Sequence, residues 1–251
     1  MRKPIVAAGV VCAMAGSVLP ARAERPGPTP VYRHVDRGTG AEVRLYRPTA
    51  DRAAVEVVAT DLLIVKSLAP GRTETRIVGS GEDLTITLDR AGVAVTDSRL
   101  PLTADGSTTE GLRQARGRIQ SSTAVRRAVR LLGQMDVRDT SPISHTLLVT
   151  RALLGSALGE PDADDALRSW SKRAGPGVRL VRAAAQQQPD GPTDCWTSYV
   201  MEAITAWIEY EDCVDSEEWW DIPGMLGCLL IYDIRAIGAF SWWVSCVGFR
   251  G

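Results

Sequence analysis

The sequence predicts an α+β fold: an antiparallel β-meander followed by helices, plus a C-terminal antiparallel helical hairpin linked by disulfides. Three observations carry this. Short strand-like runs with turn signals between them fill residues 41 to 97. Helical periodicity takes over after about residue 121. Four cysteines beyond residue 190 fall into two pairs of equal spacing.

The strand-like runs are residues 41–47, 55–67, 75–79, 83–89 and 92–97. In the fourth, Leu84, Ile86 and Leu88 alternate with Thr85 and Thr87, the period of a half-buried strand. Pro70-Gly71, Gly79-Ser80-Gly81 and Arg90-Ala91-Gly92 punctuate the runs. Connections this short suit antiparallel neighbours and leave no room for crossover helices. Four or five strands are expected.

Ser121 or Ser122 can cap a helix running to about Met135, with Val125, Val129 and Leu132 on one face and Arg126, Arg127 and Arg130 on the other. Ser141-Pro142 reads as a cap followed by proline at the first helical position, opening a helix to about Leu158. Asp162 can cap a third, ending near Arg173. Strands followed by helices point to helices covering one face of the sheet.

The C-terminal part carries the strongest signal. Trp196, Tyr199, Val200, Ala203, Ile204, Trp207 and Ile208 fit one helical face, and Thr193 or Asp194 is a suitable cap. Residues 226–249 are apolar almost throughout, interrupted by Asp233 and Arg235. Cys195 and Cys213 are 18 residues apart, and so are Cys228 and Cys246. Eighteen residues make five α-helical turns, so each pair shares a face with its members about 27 Å apart. No bond can close within a helix over that distance. Folding the two helices back on each other brings Cys213 to Cys228 and Cys195 to Cys246. The parallel alternative, Cys195 with Cys228 and Cys213 with Cys246, needs a 14-residue connection to run back along the whole helix, which is feasible but strained. The nested pairing is favoured.

In that register Arg235 lies level with Ala206, and Glu202 and Glu209 stand on the same face one turn to either side. An ion pair from Arg235 to one of them is expected. If buried, its loss would cost more than the ~1 kcal/mol of an exposed pair. Trp242 and Trp243 are expected in the core. Trp219 and Trp220, in the acidic connection, either fold under the hairpin or form an exposed aromatic tip for a partner or a membrane interface.

Residues 1–23 have the form of a secretory signal: Arg2 and Lys3, an apolar stretch from Ile5 to Leu19, then Ala21-Arg22-Ala23. Fifteen residues rise about 22 Å as a helix, short of a bilayer core of about 30 Å. Cleavage after Ala23 removes Cys12 and leaves four cysteines, an even number that suits disulfides in a secreted or periplasmic protein. The expected organisation is signal 1–23, a Pro-rich extended segment 24–40 that includes His34, an α+β domain 41–185, a linker 186–192 and the hairpin 193–251. Residues 24–190 carry a net charge of +4 and residues 191–251 a net of −8, with six of the seven tryptophans in the second part. That shift marks two units.

A formal net charge of −1 argues against binding nucleic acid through phosphates. Neither the close cysteine spacing of a zinc site nor a Cys-x-x-Cys motif is present, so metal and redox roles are not expected, nor is a cofactor. No nucleophile elbow, His-Glu-x-x-His helix, P-loop or dinucleotide fingerprint occurs. His145, early in a helix, reads as a surface or packing residue rather than a base. These absences favour a non-enzymatic protein whose Trp-rich hairpin docks a protein partner or a membrane surface. An undetected hydrolase is an alternative. The second segment is long enough to span a bilayer, but Asp233 and Arg235 weigh against insertion.

The order of parts, an export signal, a strand-and-helix region, a linker, then a hydrophobic, acidic, cysteine-bearing C-terminal piece, resembles the layout of halocin-type bacteriocin precursors. The resemblance lies in organisation and rests on no specific motif. This chain also departs from the family, whose peptide is richer in cysteine and whose export signal carries twin arginines. It implies that residues from about 191 to 251 are an active peptide, kept quiet by an immunity or pro-region over residues 24–190.

Overall fold

In a computed structural model of the chain, the described residues are 29–49, 52–69, 71–89, 92–98, 100–105, 109–175, 195–216 and 222–248. The signal-like segment, the linker 186–192 and Trp219 and Trp220 lie outside them.

Eight strands form one antiparallel sheet in sequence order: β1 Tyr32–Val35, β2 Glu42–Thr49, β3 Arg52–Ala59, β4 Leu62–Ala69, β5 Arg72–Gly79, β6 Glu82–Asp89, β7 Gly92–Asp97 and β8 Leu100–Asp105. From β2 to β7 a strand begins every ten residues, so most strands are eight residues long and their connections two. Ser80 and Gly81, between β5 and β6, both have positive φ (53° and 70°). That is what a two-residue type I′ hairpin requires.

The meander is therefore longer than the four or five strands expected. The run 55–67 divides at Thr60-Asp61 into β3 and β4, because a polar pair in an apolar run is enough for a turn. β1 falls in the segment expected to be an extended tail, and His34 sits in it, paired with Val43. β8 adds the other edge.

One face of the sheet carries the core. Along β4, Leu62, Ile64, Lys66 and Leu68 are buried while the residues between them are half-exposed. Ile77, Leu84, Ile86, Leu88, Val93 and Val95 continue that face. Helices α1 (Thr109–Ser121), α2 (Thr123–Gln134) and α6 (Ile222–Gly248) pack on the sheet. Helices α3 (Pro142–Leu158) and α5 (Cys195–Ser216) pack against that helical layer. A further helix, α4, spans residues 165–175.

Capping fixes two of these starts. The Ser122 side chain accepts from the Val125 N–H, and the Ser141 side chain from the Ser144 N–H, with Pro142 just inside. The Glu82 carboxylate, at the start of β6, accepts from the Ser122 hydroxyl and from the Thr123 and Ala124 N–H groups, so a strand caps a helix. Left-handed Gly159 ends α3. α1 is the helix the pattern did not announce. Among the described side chains it buries Ala115 and Ile119, and Gly111 and Gly117 interrupt it. α4 starts three residues after Asp162, whose carbonyl accepts from the Asp165 N–H in the preceding turn.

One continuous core joins the sheet, α1 to α4 and the α5–α6 pair. The compositional break near residue 191 therefore does not divide the core. The inner side of the hairpin is part of this common interior.

Candidate functional site

The hairpin is clamped at both ends. Cys195 bonds to Cys246 and Cys213 to Cys228, each pair with Cα atoms 5.7 Å apart. This is the nested pairing. Helix α5 buries Tyr199, Val200, Ala203, Ala206, Trp207 and Tyr210. The buried face is thus rotated from the one the sequence suggested: Ile208 is exposed and Ile204 only partly covered. Trp243 packs against Phe240 and Tyr199, but Trp242 is 46% exposed and not in the core. A helix clamped on one side by its partner and packed on a second side by α3 has two covered faces, which a single stripe of apolar residues does not describe.

Two polar clusters lie where the hairpin meets the rest of the chain. In the first, Asp233 of α6 is wholly buried and Lys66 of β4 is 2% exposed. Lys66 Nζ stands 2.6 Å from Asp233 Oδ2 and donates also to Thr73 Oγ1 at 3.3 Å. The Thr73 hydroxyl donates to the same Asp233 oxygen at 3.1 Å. Asp233 Oδ1 is buried without a hydrogen-bond partner among the described residues.

In the second cluster, the buried His145 of α3 bonds through Nδ1 to the Tyr199 hydroxyl and through Nε2 to the Tyr232 hydroxyl at 2.5 Å. Its ring stacks on Trp170 of α4, with centroids 4.1 Å apart. Burial pushes the His145 imidazole down to about 3, so the ring is neutral, one nitrogen donating and the other accepting. Burial pushes both tyrosines well above the usual phenol range, with Asp233 adding to the effect at Tyr232.

Chemically these groups could serve as acids, bases or nucleophiles. Their enclosure keeps a reacting atom from meeting them while the seam is closed. Lys66 and Thr73 join Asp233 of α6 to the sheet, and His145 joins α3 to α5 and α6. The sequence carried a signal for them that the reading passed over. Lys66 is in phase with Leu62, Ile64 and Leu68 on the buried face of β4. Asp233 is in phase with Leu229, Tyr232, Ala236 and Phe240 on the buried face of α6. A charge on each of two core faces asks for a partner.

The outer side of the hairpin is different. Arg235 pairs with Glu209, at side-chain exposures of 53% and 43%. The pair is a surface pair, not the buried one considered from the sequence, and belongs to the class that contributes ~1 kcal/mol or less. Glu202 makes no pair with Arg235. It lines, with Ser198, Met201, Thr205, Arg235 and Trp242, a groove of about 700 Å³ between α5 and α6. Ile208 and Ile231 are 53% and 57% exposed on the same two helices.

Among the described residues, no group of three His, Cys, Asp or Glu is placed to hold a metal ion, and no helix is long and apolar enough to cross a membrane. No family model, no curated protein and no solved structure matches the chain.

Proposed function

We propose that the protein is an exported, non-enzymatic binding protein whose disulfide-clamped hairpin offers its outer face to a protein partner. The observation that carries this reading is the groove between α5 and α6, with Trp242 exposed at its edge. Trp is the side chain most suited to anchor a contact of this kind. The disulfides support an oxidising compartment, as does the signal-like N-terminus. The enclosure of the Lys66–Asp233 and His145–Tyr199–Tyr232 clusters in the seam supports a binding rather than a catalytic role.

Charge favours a protein over a lipid surface. The described hairpin carries Glu202, Glu209, Glu211, Asp212 and Asp215 outside the core, against Arg235 alone. A hairpin with this net negative charge repels anionic membranes, and Glu202 in the groove suits a segment presenting Lys or Arg around an apolar anchor. Titration of the oxidised protein with a basic amphipathic helical peptide, followed by tryptophan fluorescence, tests this. Saturable binding is expected, weakened at least tenfold by Trp242→Ala and absent for the Glu-for-Lys counterpart peptide. Equal affinity in Trp242→Ala, or binding to anionic vesicles and not to the peptide, would overturn it.

A second reading follows the halocin-like layout: residues from about 191 to 251 as a peptide released from a covering pro-region. One feature favours it. Both disulfides close within the hairpin, so none ties it to the sheet. A cut near 186–192 would leave the hairpin covalently whole, held to the rest by packing and by the seam's polar groups. Non-reducing mass spectrometry of the secreted protein separates the readings. A one-piece chain supports the first, and a free hairpin with both disulfides supports the second.

A further inference from the structure

Away from the hairpin, we infer that a cleft between α2 and α3 binds a phosphate monoester. The cleft has a volume of about 470 Å³ and is lined by Arg126, Arg130, Arg151, Glu160, Val129 and Leu158, among others. Arg126 and Arg130 are one helical turn apart, on one face of α2, and Arg151 faces them from α3.

The three guanidinium groups are not equivalent. Arg126 is spent on the C-terminal end of α1, where it donates to the carbonyls of Gln120 and Ser121. Arg130 and Arg151 have no ion-pair partner among the described residues, although Arg127, their neighbour, is paired with Asp61. Arg151 is the more telling. Its Nε is shut off from solvent and meets no acceptor among the described residues. An arginine N–H taken from water without an acceptor is destabilising, so such groups call for an explanation.

The local sequence makes room for this guanidinium. A Cβ at Gly133, in the last turn of α2, would lie 3.1 Å from Arg151 Nε. Glycine is a poor helix residue, and here its missing side chain is where the arginine head rests. Two arginines without an ion-pair partner among the described residues suit a dianion, since a guanidinium can offer parallel N–H bonds to phosphate oxygens. Val129 and Leu158 supply apolar wall beyond the charged end, which suits an ester carrying an apolar body. Glu160 is the opposing charge in the cleft and should weaken binding rather than support it. A free phosphate ester and the headgroup of phosphatidic acid share the chemistry and are separated by the test.

Phenyl phosphate is the probe, titrated into the oxidised full-length protein and followed by NMR at the arginine Nε–H and Gly133 amide signals. Saturable shifts at Arg151 and Gly133 are expected, with affinity at least tenfold above that for benzoate, a monoanion of similar shape. Arg130→Gln and Arg151→Gln should each weaken binding at least tenfold. Glu160→Gln should tighten it. Gly133→Ala keeps every charge and favours the helix, so it should weaken binding without unfolding the protein. Arg113→Gln, at an exposed residue paired with Glu110, should change nothing. Sedimentation with phosphatidylcholine vesicles containing phosphatidic acid then assigns the source. Co-sedimentation abolished by Arg151→Gln points to the lipid headgroup, and its absence to a soluble ester. No saturable shift with phenyl phosphate, or shifts unchanged by Arg130→Gln and Arg151→Gln, would sink the proposal.

Discussion

The sheet and the hairpin are built on opposite plans. In the sheet every strand pairs with its neighbour in sequence through short connections, so each piece finds its partner locally. Its buried face is mostly apolar, with Lys66, Thr73 and Thr75 as exceptions. The hairpin is closed by bonds between residues 51 and 15 apart, and its inner side carries an aspartate, two tyrosine hydroxyls and a facing histidine. The sheet needs no particular partner to define its register, because alternation and turn chemistry do that. The hairpin's seat on the sheet includes a buried polar group, Lys66, Thr73 and Asp233. A purely apolar seam would bind as well but could slide. That the seam supplies specificity is a hypothesis, and the Lys66–Asp233 pair is where it can be broken.

Asp233→Ala is expected to have the largest effect. It leaves the Lys66 ammonium buried with Thr73 as its remaining hydrogen-bond partner, a change that costs about 3–5 kcal/mol when a buried pair loses one member. Urea unfolding followed by tryptophan fluorescence measures it. Arg235→Ala, which breaks the exposed pair with Glu209, should cost ~1 kcal/mol or less. The double variant Lys66→Met with Asp233→Leu should restore most of the stability, because the net worth of a buried pair against an apolar replacement is small. Equal losses for Asp233→Ala and Arg235→Ala would mean that water reaches the seam, and the contrast between the two helix faces would fail. If the double variant is stable but its hairpin becomes more open to proteolysis, the polar groups supply register rather than strength.

The comparison also explains what could be read in advance. The disulfide pairing was legible in part: eighteen residues make whole turns of a helix, so the spacing puts one sulfur at each end of each helix, and the short fold-back favours the nested over the parallel pairing. The caps at Ser122 and Ser141 were legible because capping is local chemistry. β1, α1 and the division of residues 55–67 were not. Each depends on what lies across from it: β1 on the edge of β2, α1 on β7 and β8, and the turn at Thr60-Asp61 on the pairing of β3 with β4. Trp242 and Ile208 were misplaced for a related reason. Periodicity says that a helix has an apolar side, but the choice among neighbouring positions is made by whatever packs there, here α3 and α6. The seam lay between these cases. Lys66 and Asp233 each stood out of place in an apolar pattern, and only their meeting, 167 residues apart, turned two anomalies into one pair.

His145 gives a smaller and reversible way to test the same contrast. Its imidazole titrates at about 3 in the folded protein because burial disfavours the charged ring, against a usual value near 6.5. Above pH 6.5 neither state holds the proton and the residue contributes nothing to pH dependence. As pH falls below 6.5 the unfolded chain takes up a proton that the folded chain refuses until about 3, so stability declines through that window. The slope from one such group is at most about 1.4 kcal/mol per pH unit, or about 2 kcal/mol between pH 6.5 and pH 5. Urea midpoints at pH 7 and pH 5 measure the decline. In His145→Gln the protein should be less stable at pH 7, since the Trp170 stack and one tyrosine bond are disturbed, but its loss on going to pH 5 should be smaller by about 2 kcal/mol. The sheet face has no equivalent group, so the acid-sensitive step should appear in the seam, where Trp170 stacks on the imidazole and reports its departure. An unchanged pH dependence in His145→Gln would mean that the ring is already protonated or hydrated in the folded state. The seam would then be looser than the enclosure of Tyr199 and Tyr232 requires.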